Sequence, residues 1–411
     1  MTERLAPKAI IPALADNRSF LDAAEELDIS LYLAGAKRFA ANPRAARAEV
    51  FCVASFLSEY DQSEETYNAY RRDLEHLLLW AMWEADASIV SLGRNELKAY
   101  LEFLSEPPVE WAAPSRKPRF LPDGRPNPAW RPFVRSPAGE DQRLVMATSK
   151  ASIRSALLSI SSFFTHLVDQ GVAENNPVRA LKQRKAFTGA GGHARNRTLT
   201  EVQWAACQQV AHEMAEEDPA AHERSLYLLM LVCRLYLRMS DVTASNVGRP
   251  DEMIPLMSAF WRDREGFWWL NLSGKGRKDR SVTVPDDVIA SLKRYRIHLG
   301  LPPLPVPDEE TPLVPRAKGK GGVKSTRHIR RVLQTVFDRA KDLLMERGEE
   351  DDAHAMDAVT AHWLRHTGVS NDVLVRPLAH VRDDAGHENI ATTSNYINSD
   401  MRARAASRGQ T

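Results

Sequence analysis

The sequence has few cysteines and no long apolar run, and each shortage excludes a class of protein. Its three cysteines, Cys52, Cys207 and Cys233, are odd in number and far apart, so they suggest neither a disulfide framework nor a paired-cysteine zinc site. The longest strongly apolar run, Leu226 to Cys233, is far shorter than the roughly 20 residues of a membrane-spanning helix. The amino terminus has no signal-peptide pattern, and we therefore expect a cytoplasmic protein with no membrane partner.

Charge is almost balanced over the whole chain but is sorted along it. The 411 residues include 55 Lys plus Arg and 54 Asp plus Glu. Two long stretches, Asn175 to Thr200 and Thr311 to Phe337, carry several basic residues and no acid. One such stretch is more often a solvated loop than a binding site, but two in a neutral protein favour a polyanion such as DNA. We predict DNA contacts from Arg179, Lys182, Arg184, Lys185, Arg195, Arg197, Lys324 and Arg327.

The apolar pattern predicts a first domain at residues 45–182, after an amino-terminal extension over 1–44. Apolar residues recur there at three- and four-residue intervals, which predicts a bundle of about four helices. An insertion over 106–142 interrupts the bundle with nine prolines, which exclude a regular helix, and with tryptophans and basic residues. Two interpretations are open: a packed surface loop, or an extended arm whose arginines contact phosphates and whose aromatic rings stack on bases or a neighbouring subunit.

A second boundary lies at residues 183–198, where basic residues and glycines form a flexible linker. Thr200 with Gln203 fits a capping box and opens a second domain over 199–411. Helical stretches in this domain are interrupted by two short segments of β-branched and aromatic residues around Gly274-Lys-Gly276, which predict a hairpin. We therefore expect a mainly α protein with a small β component, made of a helical domain followed by an α+β domain.

Phosphodiester exchange without a metal would need a particular set of side chains. Its transition state gathers negative charge on the nonbridging oxygens, which the planar donor fork of arginine can bind. A hydroxyl must attack the phosphorus, and a proton must reach the departing sugar oxygen. Tyrosine suits a reversible exchange, because a phosphotyrosyl ester keeps the bond energy for the return step.

The second domain contains candidates for these tasks. Arg238 lies at a corner after an apolar helix and before a helix predicted from Ser240, and Lys275 lies at the tip of the hairpin. Taken alone, either residue fits an ordinary ion-pair or surface position. His362 and Arg365 are three residues apart and so share one face of a predicted helix.

A zinc site is the alternative for the histidines of this helix. His362 and His366 have the spacing of a helical zinc pair. However, Trp363 follows the first histidine, where a metalloprotease would use glutamate. We therefore expect no metal.

Taken together and in order, these motifs resemble the catalytic boxes of the tyrosine recombinases, the phage-integrase family. The boxes are Leu237-Arg-Met-Ser-Asp241 around Arg238, the hairpin lysine Lys275, His362-Trp-Leu-Arg365, and Gly386-His387 followed nine residues later by Tyr396. The resemblance is strong over about 199–400 and weaker over about 45–182, where it is to the helical core-binding domain of the family. Three places depart from the family pattern: Arg376-Pro377; Ala385, where leucine usually precedes the Gly-His pair; and a charged, aromatic insertion from Arg249 to Gly266, between Arg238 and the hairpin.

The resemblance implies the roles of the catalytic residues. Tyr396 would attack the scissile phosphate, forming a 3′-phosphotyrosyl link and freeing a 5′-hydroxyl. Arg238 and Arg365 would bind the nonbridging oxygens, and Lys275 would protonate the leaving 5′-oxygen. The resemblance implies no metal and no other cofactor.

The same resemblance assigns His362 to proton transfer with the tyrosine and His387 to a hydrogen bond with the phosphate. Because recombination joins two duplexes through four strand cuts, the resemblance implies a homotetramer bound to double-stranded DNA. It also implies a location at the nucleoid, and it leaves open whether accessory proteins take part. The amino-terminal extension and the insertion favour an integrase of a mobile element over a compact chromosome-dimer resolvase.

Two rival functions keep the same fold. One is a catalytically silent DNA-binding accessory protein, which the six intact catalytic side chains disfavour. The other is a type IB topoisomerase-like enzyme, which the core-binding resemblance disfavours. The DNA target cannot be read from the sequence, because specificity depends on base-edge contacts and on DNA deformation.

Overall fold

The chain forms two compact units, Met1–His193 and Ala194–Thr411. A computed structural model describes residue 14 and residues 42–60, 64–123, 125–134, 136–138, 143–145, 148–181, 187, 197–244, 253–273 and 279–394. No helix within these ranges combines the length and the apolar character that crossing a membrane requires.

The first unit is built on a helical bundle. Its described α-helices are α1 Pro43–Ser58, α2 Glu64–Trp80, α3 Arg94–Ser105 and α4 Lys150–Asp169. The Asn42 and Ser149 side chains accept backbone N–H bonds at the starts of α1 and α4, which satisfies donors that have no partner inside the helix. Phe56, Leu78, Leu101 and Phe163, one from each helix, belong to a single buried core.

The insertion packs against this bundle. Its described strands are β1 Ala112–Ala113, parallel to β2 Phe133–Val134, and β3 Ser136–Ala138, antiparallel to β4 Arg143–Val145. Trp111 and Trp130 belong to the buried core, and Arg119 forms an ion pair with the buried Glu75. A tryptophan buried in its own unit has no face free for a base. The described part of the insertion is therefore a packed loop.

The second unit combines helices with a small sheet. Its described α-helices are α5 Glu201–Glu217, α6 Pro219–Arg234, α7 Asp286–His298, α8 Thr326–Glu346, α9 Glu350–Ala355, α10 Ala361–Asp372, α11 Leu378–Ala385 and α12 Ile390–Ser394. The sheet is antiparallel in the order β5 Phe260–Arg262, β6 Trp268–Ser273 and β7 Asp279–Val284. The predicted mainly α architecture with a small β component is confirmed.

Helix α6 lies at the centre of the second unit. Its residues from Ser225 to Cys233 are all buried, and it packs against α5, α7 and α10. Such a helix is apolar on every face, which explains why this stretch is the longest apolar run in the sequence. The helix ends at Arg234, four residues before Arg238.

The helix predicted from Ser240 is wrong. The structure has a single 3-10 turn there, Met239–Val242. Thr243 then takes an extended conformation, and the Ala244 N–H donates to the Val323 carbonyl at 3.0 Å rather than continuing a helical ladder. A long-range backbone bond of this kind leaves no trace in local periodicity.

A glycine sets how closely α10 approaches α6. A Cβ built on Gly368 would lie 1.9 Å from the Cys233 carbonyl oxygen, which is backbone and cannot rotate away. The two helices can therefore pack at this distance only if residue 368 has no side chain. The close approach positions the histidines and the arginine of α10 against the chain that follows α6.

We expect Gly368→Ala to lower the free energy of unfolding of the second unit by about 3 kcal/mol, because α10 must move away from α6. Urea unfolding followed by circular dichroism would measure the change. Gly300→Ala is the matched control: Gly300 has φ of +72° and nothing within 4 Å of its added Cβ, so only backbone strain is introduced. That strain costs about 1 kcal/mol. Equal losses in the two variants would contradict the packing account.

Candidate active site

Three segments of the second unit bring together four of the six predicted catalytic residues. The turn after α6 carries Arg238, α10 carries His362 and Arg365, and the end of α11 carries His387. Helix α11 ends because Gly386 adopts a left-handed conformation with φ of 62°. A Cβ at this position would also lie 2.9 Å from Cδ of Arg280, so the Arg280 side chain would have to shift.

Arg365 is the buried centre of the site, with only 3% of the residue exposed. One guanidinium nitrogen, Nη1, donates to the carbonyl oxygen of Tyr236. The other, Nη2, donates to the Ala385 carbonyl at 2.6 Å and lies 3.0 Å from Nε2 of His387. A buried guanidinium needs such acceptors, because an unpaired one would lose its hydration without compensation. Arg365 thereby ties α10 to the end of α11 and to the turn after α6.

Arg238 reaches the same place from the solvent side. Its side chain is exposed, and Nη2 donates to the Gly386 carbonyl at 3.3 Å. Its backbone N–H donates to Oδ2 of Asp241 at 2.8 Å, which fixes the start of the 3-10 turn. The two guanidiniums therefore meet at consecutive carbonyls, those of residues 385 and 386.

The field of these cations keeps the nearby imidazoles neutral. Burial, followed by the charges of Arg365, Arg238 and Arg280, lowers the pKa of His387 to about 4. Nδ1 of His387 lies 2.9 Å from Oγ1 of the buried Thr393 in α12. An anion placed among these groups would be attracted by the guanidiniums and would reduce the repulsion between them. The arrangement is suited to an oxyanion such as a phosphodiester.

His362 lies at the exposed start of α10. Its pKa is lowered by burial, then by the charges of Arg365, Arg197, Arg330 and Arg238. It is therefore unprotonated at neutral pH and able to accept a proton.

His366, one turn along α10, packs edge-on against His362 with the ring centroids 4.5 Å apart. Burial, with further effects from His362 and nearby arginines, lowers the pKa of His366 to about 4. Within the described residues, no group of three or more His, Cys, Asp or Glu side chains is placed to hold a metal ion.

Several predicted site residues lie outside the described ranges. These are the catalytic candidates Lys275 and Tyr396 and the DNA-contact candidates Lys182, Arg184, Lys185 and Arg195. Tyr396 follows Ser394, the last described residue, two positions later in the chain.

The other DNA-contact candidates are exposed. Arg179 belongs to the first unit, whereas Arg197, Lys324 and Arg327 belong to the second. Arg197 influences the pKa of His362 and therefore lies close to the catalytic candidates. The DNA contacts of all four residues stay predictions.

Three residues near the site were missed by the sequence reasoning. Nη2 of Arg280 donates to Oδ2 of Asp241 at 2.7 Å, and both side chains are largely buried beside Arg238. Arg330 is exposed and adds to the field on His362. Signals for them existed: Asp241 ends the first box, Arg280 ends the basic hairpin run, and Arg330 lies three residues after Arg327 on one helix face.

Comparison with known proteins identifies several relatives. No family model matches the chain. The chain is 23% identical over 269 residues to "Tyrosine recombinase XerC" of Thermodesulfovibrio yellowstonii, covering 64% of this chain and 75% of the relative. It is 25% identical over 343 residues to "Tyrosine recombinase" of Thermosipho africanus, covering 82% of this chain and 89% of the relative. It is 24% identical over 344 residues to "Tyrosine recombinase XerC" of Xylella fastidiosa, covering 84% and 89%.

Solved structures share the fold. The crystal structure of XerH site-specific recombinase bound to palindromic difH substrate, a post-cleavage complex, matches with a TM-score of 0.58 and 12% identity over 98% of this chain and 92% of that one. The pre-cleavage complex of XerH matches with a TM-score of 0.50 and 13% identity, over 88% of this chain and 84% of that one.

The lowered histidine pKa values predict that acid destabilises the second unit. His366 and His387 have pKa values of about 4 in the folded protein and an ordinary value of 6.5. Between these values the unfolded chain binds more protons, so the free energy of unfolding falls as the pH is lowered. Urea unfolding at several pH values should show this slope, and His387→Gln should flatten it. An imidazole of His387 that titrates at 6.5 by NMR would contradict the account.

Proposed function

We propose that this chain is a tyrosine recombinase, a site-specific DNA recombinase that cuts and rejoins strands through a 3′-phosphotyrosyl intermediate. The single observation that carries the proposal is the meeting of Arg238, Arg365 and His387 at the end of α11. Two planar cationic forks and an imidazole around one point match the charge of a phosphodiester in its transition state.

The proposed cleavage step begins with the phenol of Tyr396. Its oxygen forms a bond to the phosphorus, and the bond from phosphorus to the 5′-oxygen breaks. The phenol proton passes to the neutral His362, and the ammonium of Lys275 gives a proton to the departing 5′-oxygen. Rejoining is the reverse step with the 5′-hydroxyl of another strand as nucleophile, so no external energy source is needed. A phenol has a pKa near 10, so the surrounding cations also favour its ionised form during attack.

His387 has two hydrogen-bonding states available for this reaction. In the described arrangement Nε2 faces a donor, Nη2 of Arg365, so Nε2 accepts and Nδ1–H donates to Oγ1 of Thr393. A phosphate oxygen can only accept, and His387 must then carry its proton on Nε2. The Thr393 hydroxyl allows that change, since it can donate to Nδ1 as readily as accept from it.

The DNA partner is engaged by exposed cations. We assign phosphate contacts to Arg197, Lys324 and Arg327 of the second unit, and to Arg179 of the first unit. The candidates of the linker, Lys182, Arg184, Lys185 and Arg195, are proposed to contact the same duplex. Each contact of this kind releases counterions, so binding should weaken steeply with salt.

Recombination requires two duplexes, and we propose that four copies assemble on them at the nucleoid. The curated relatives carry the names of tyrosine recombinases, two of them XerC, so the role of a mobile-element integrase stays a prediction from the sequence alone. A silent accessory protein and a topoisomerase-like enzyme would share the fold. Covalent attachment excludes the first, and strand exchange between two duplexes excludes the second.

Tyr396→Phe tests the nucleophile. The substrate is a nicked duplex carrying a site selected by binding from random duplexes, with the nick placed so that the released fragment diffuses away. We expect the unaltered protein to become covalently attached, seen as a slower band in a denaturing gel. Tyr396→Phe should shift the same duplex in a native gel without forming that band. Attachment by the variant would contradict the assignment of Tyr396.

Arg238→Ala tests the exposed half of the phosphate site. We expect the rate of covalent attachment to fall by roughly 10²–10³-fold, the usual loss when one transition-state donor is removed, while duplex affinity falls only modestly. Arg339→Ala is the matched control, because Arg339 is an exposed arginine of the same unit that pairs with Glu217. Similar attachment rates in the two variants would contradict the role of Arg238.

A further inference from the structure

Tyr236 occupies an unusual position two residues before Arg238. It has a positive φ of 52° and is 1% exposed. A residue with a Cβ rarely adopts this left-handed conformation, so the surrounding contacts must hold it there. Such conformations concentrate at functional sites.

Tyr236 is held at both of its ends. Its carbonyl oxygen accepts from Nη1 of Arg365, and its hydroxyl donates to Oδ2 of Asp372. The same hydroxyl accepts from Nη1 of Arg376 at 2.9 Å. Burial and Asp372 raise the pKa of Tyr236 well above its usual value, so the hydroxyl stays protonated. Tyr236 is therefore a connector and not a second nucleophile.

Arg376 continues this connection to helix α11. Its Nη2 donates to Oδ2 of Asp384 at 2.6 Å and to Oγ1 of Thr283 at 3.2 Å. Asp384 is buried, with 4% of the residue exposed, and it also accepts from the Thr283 hydroxyl at 2.6 Å and from the Thr283 N–H at 3.2 Å. The carboxylate thus fixes the last turn of α11 against strand β7.

The contacts close into a ring around Arg365. Asp384 is followed by Ala385, whose carbonyl accepts from Nη2 of Arg365 at 2.6 Å. Nη1 of Arg365 returns to the carbonyl of Tyr236. The guanidinium of Arg365 is oriented by two acceptors, the carbonyl oxygens of Tyr236 and Ala385. The link from Tyr236 through Arg376 to Asp384 therefore sets the distance between these two oxygens.

Apolar packing and polar contacts both hold the neighbourhood of Arg376. Tyr236, Val369, Val381 and Ala385 form a small buried cluster, against which the partly buried Val373 packs. Leu374 and Val375, next in the chain, are 75% and 80% exposed. The described contacts of Arg376 itself are polar, so the polar link is suited to set the geometry of this turn.

We propose that Tyr236, Arg376 and Asp384 are positioning residues that set the orientation of the Arg365 guanidinium for the scissile phosphate. None of the three touches the phosphate. The inference rests on the proposed recombinase function. It adds three residues that lie outside the catalytic boxes of the family. A fork that is misplaced by an ångström binds DNA almost as well but stabilises the transition state poorly.

Two variants and a matched control test the proposal on the nicked duplex described above. Tyr236→Phe removes the hydroxyl and keeps the ring, and Asp384→Asn weakens the hold on Arg376. Tyr227→Phe is the control, because Tyr227 is a fully buried tyrosine of α6 whose hydroxyl has no hydrogen-bond partner among the described residues. Attachment rates are measured at saturating duplex, affinities by gel shift, and melting temperatures by circular dichroism.

We expect Tyr236→Phe and Asp384→Asn each to slow attachment by roughly tenfold or more at saturating duplex, with affinity close to that of Tyr227→Phe. The melting temperature of Tyr236→Phe should stay close to that of Tyr227→Phe, whereas Asp384→Asn also weakens a buried ion pair and should melt at a somewhat lower temperature. Because both act through Arg376, the double variant should be less impaired than the product of the single effects. Losses of rate that follow equal losses of melting temperature would assign a structural role and overturn the proposal.

The failure of this inference is distinguishable from failure of the proposed function. If the unaltered protein forms no covalent complex, the recombinase function itself is wrong and the positioning role is wrong with it. If the unaltered protein attaches, and Tyr236→Phe and Asp384→Asn attach at the rate of Tyr227→Phe, only the positioning role is overturned.

Discussion

The candidate active site is organised around a buried charge, the guanidinium of Arg365. A cation taken out of water is tolerated only if its donors find acceptors, and here the acceptors are the backbone carbonyls of Tyr236 and Ala385. Those carbonyls belong to the turn after α6 and to the end of α11, so satisfying the charge fixes both segments relative to α10. The same requirement that keeps the fold together therefore assembles the site.

The electrostatics of the site follow from that burial. Arg365 is joined by the exposed Arg238 and by Arg280, and burial together with the charges of these arginines lowers the pKa of His387 to about 4. Arg280 is paired with Asp241, whereas Arg238 and Arg365 donate to backbone carbonyls, which carry no net charge. A phosphodiester entering the cluster would add a negative charge beside these two guanidiniums, and the gain would be larger for the more highly charged transition state than for the bound substrate.

The ordered boxes of the sequence were enough to predict the mainly α fold, the hairpin and the meeting of Arg238, Arg365 and His387. They succeed because helix periodicity and fixed spacing place residues on one helix face or at one helix end. The left-handed Tyr236 and the link from Arg376 to Asp384 could not be predicted, since they depend on which distant segments meet. The helix expected from Ser240 was wrong for the same reason, as the carbonyl of Val323 takes the N–H of Ala244.

The most direct test of the central claim is a structure of the covalent complex trapped on the nicked duplex. In that complex we expect phosphorus to be bonded to the phenolic oxygen of Tyr396. We also expect the nonbridging oxygens to lie within hydrogen-bond distance of the guanidiniums of Arg238 and Arg365. A phosphate bonded to another residue, or bonded to Tyr396 with both arginines still held only by protein carbonyls, would contradict the proposed mechanism.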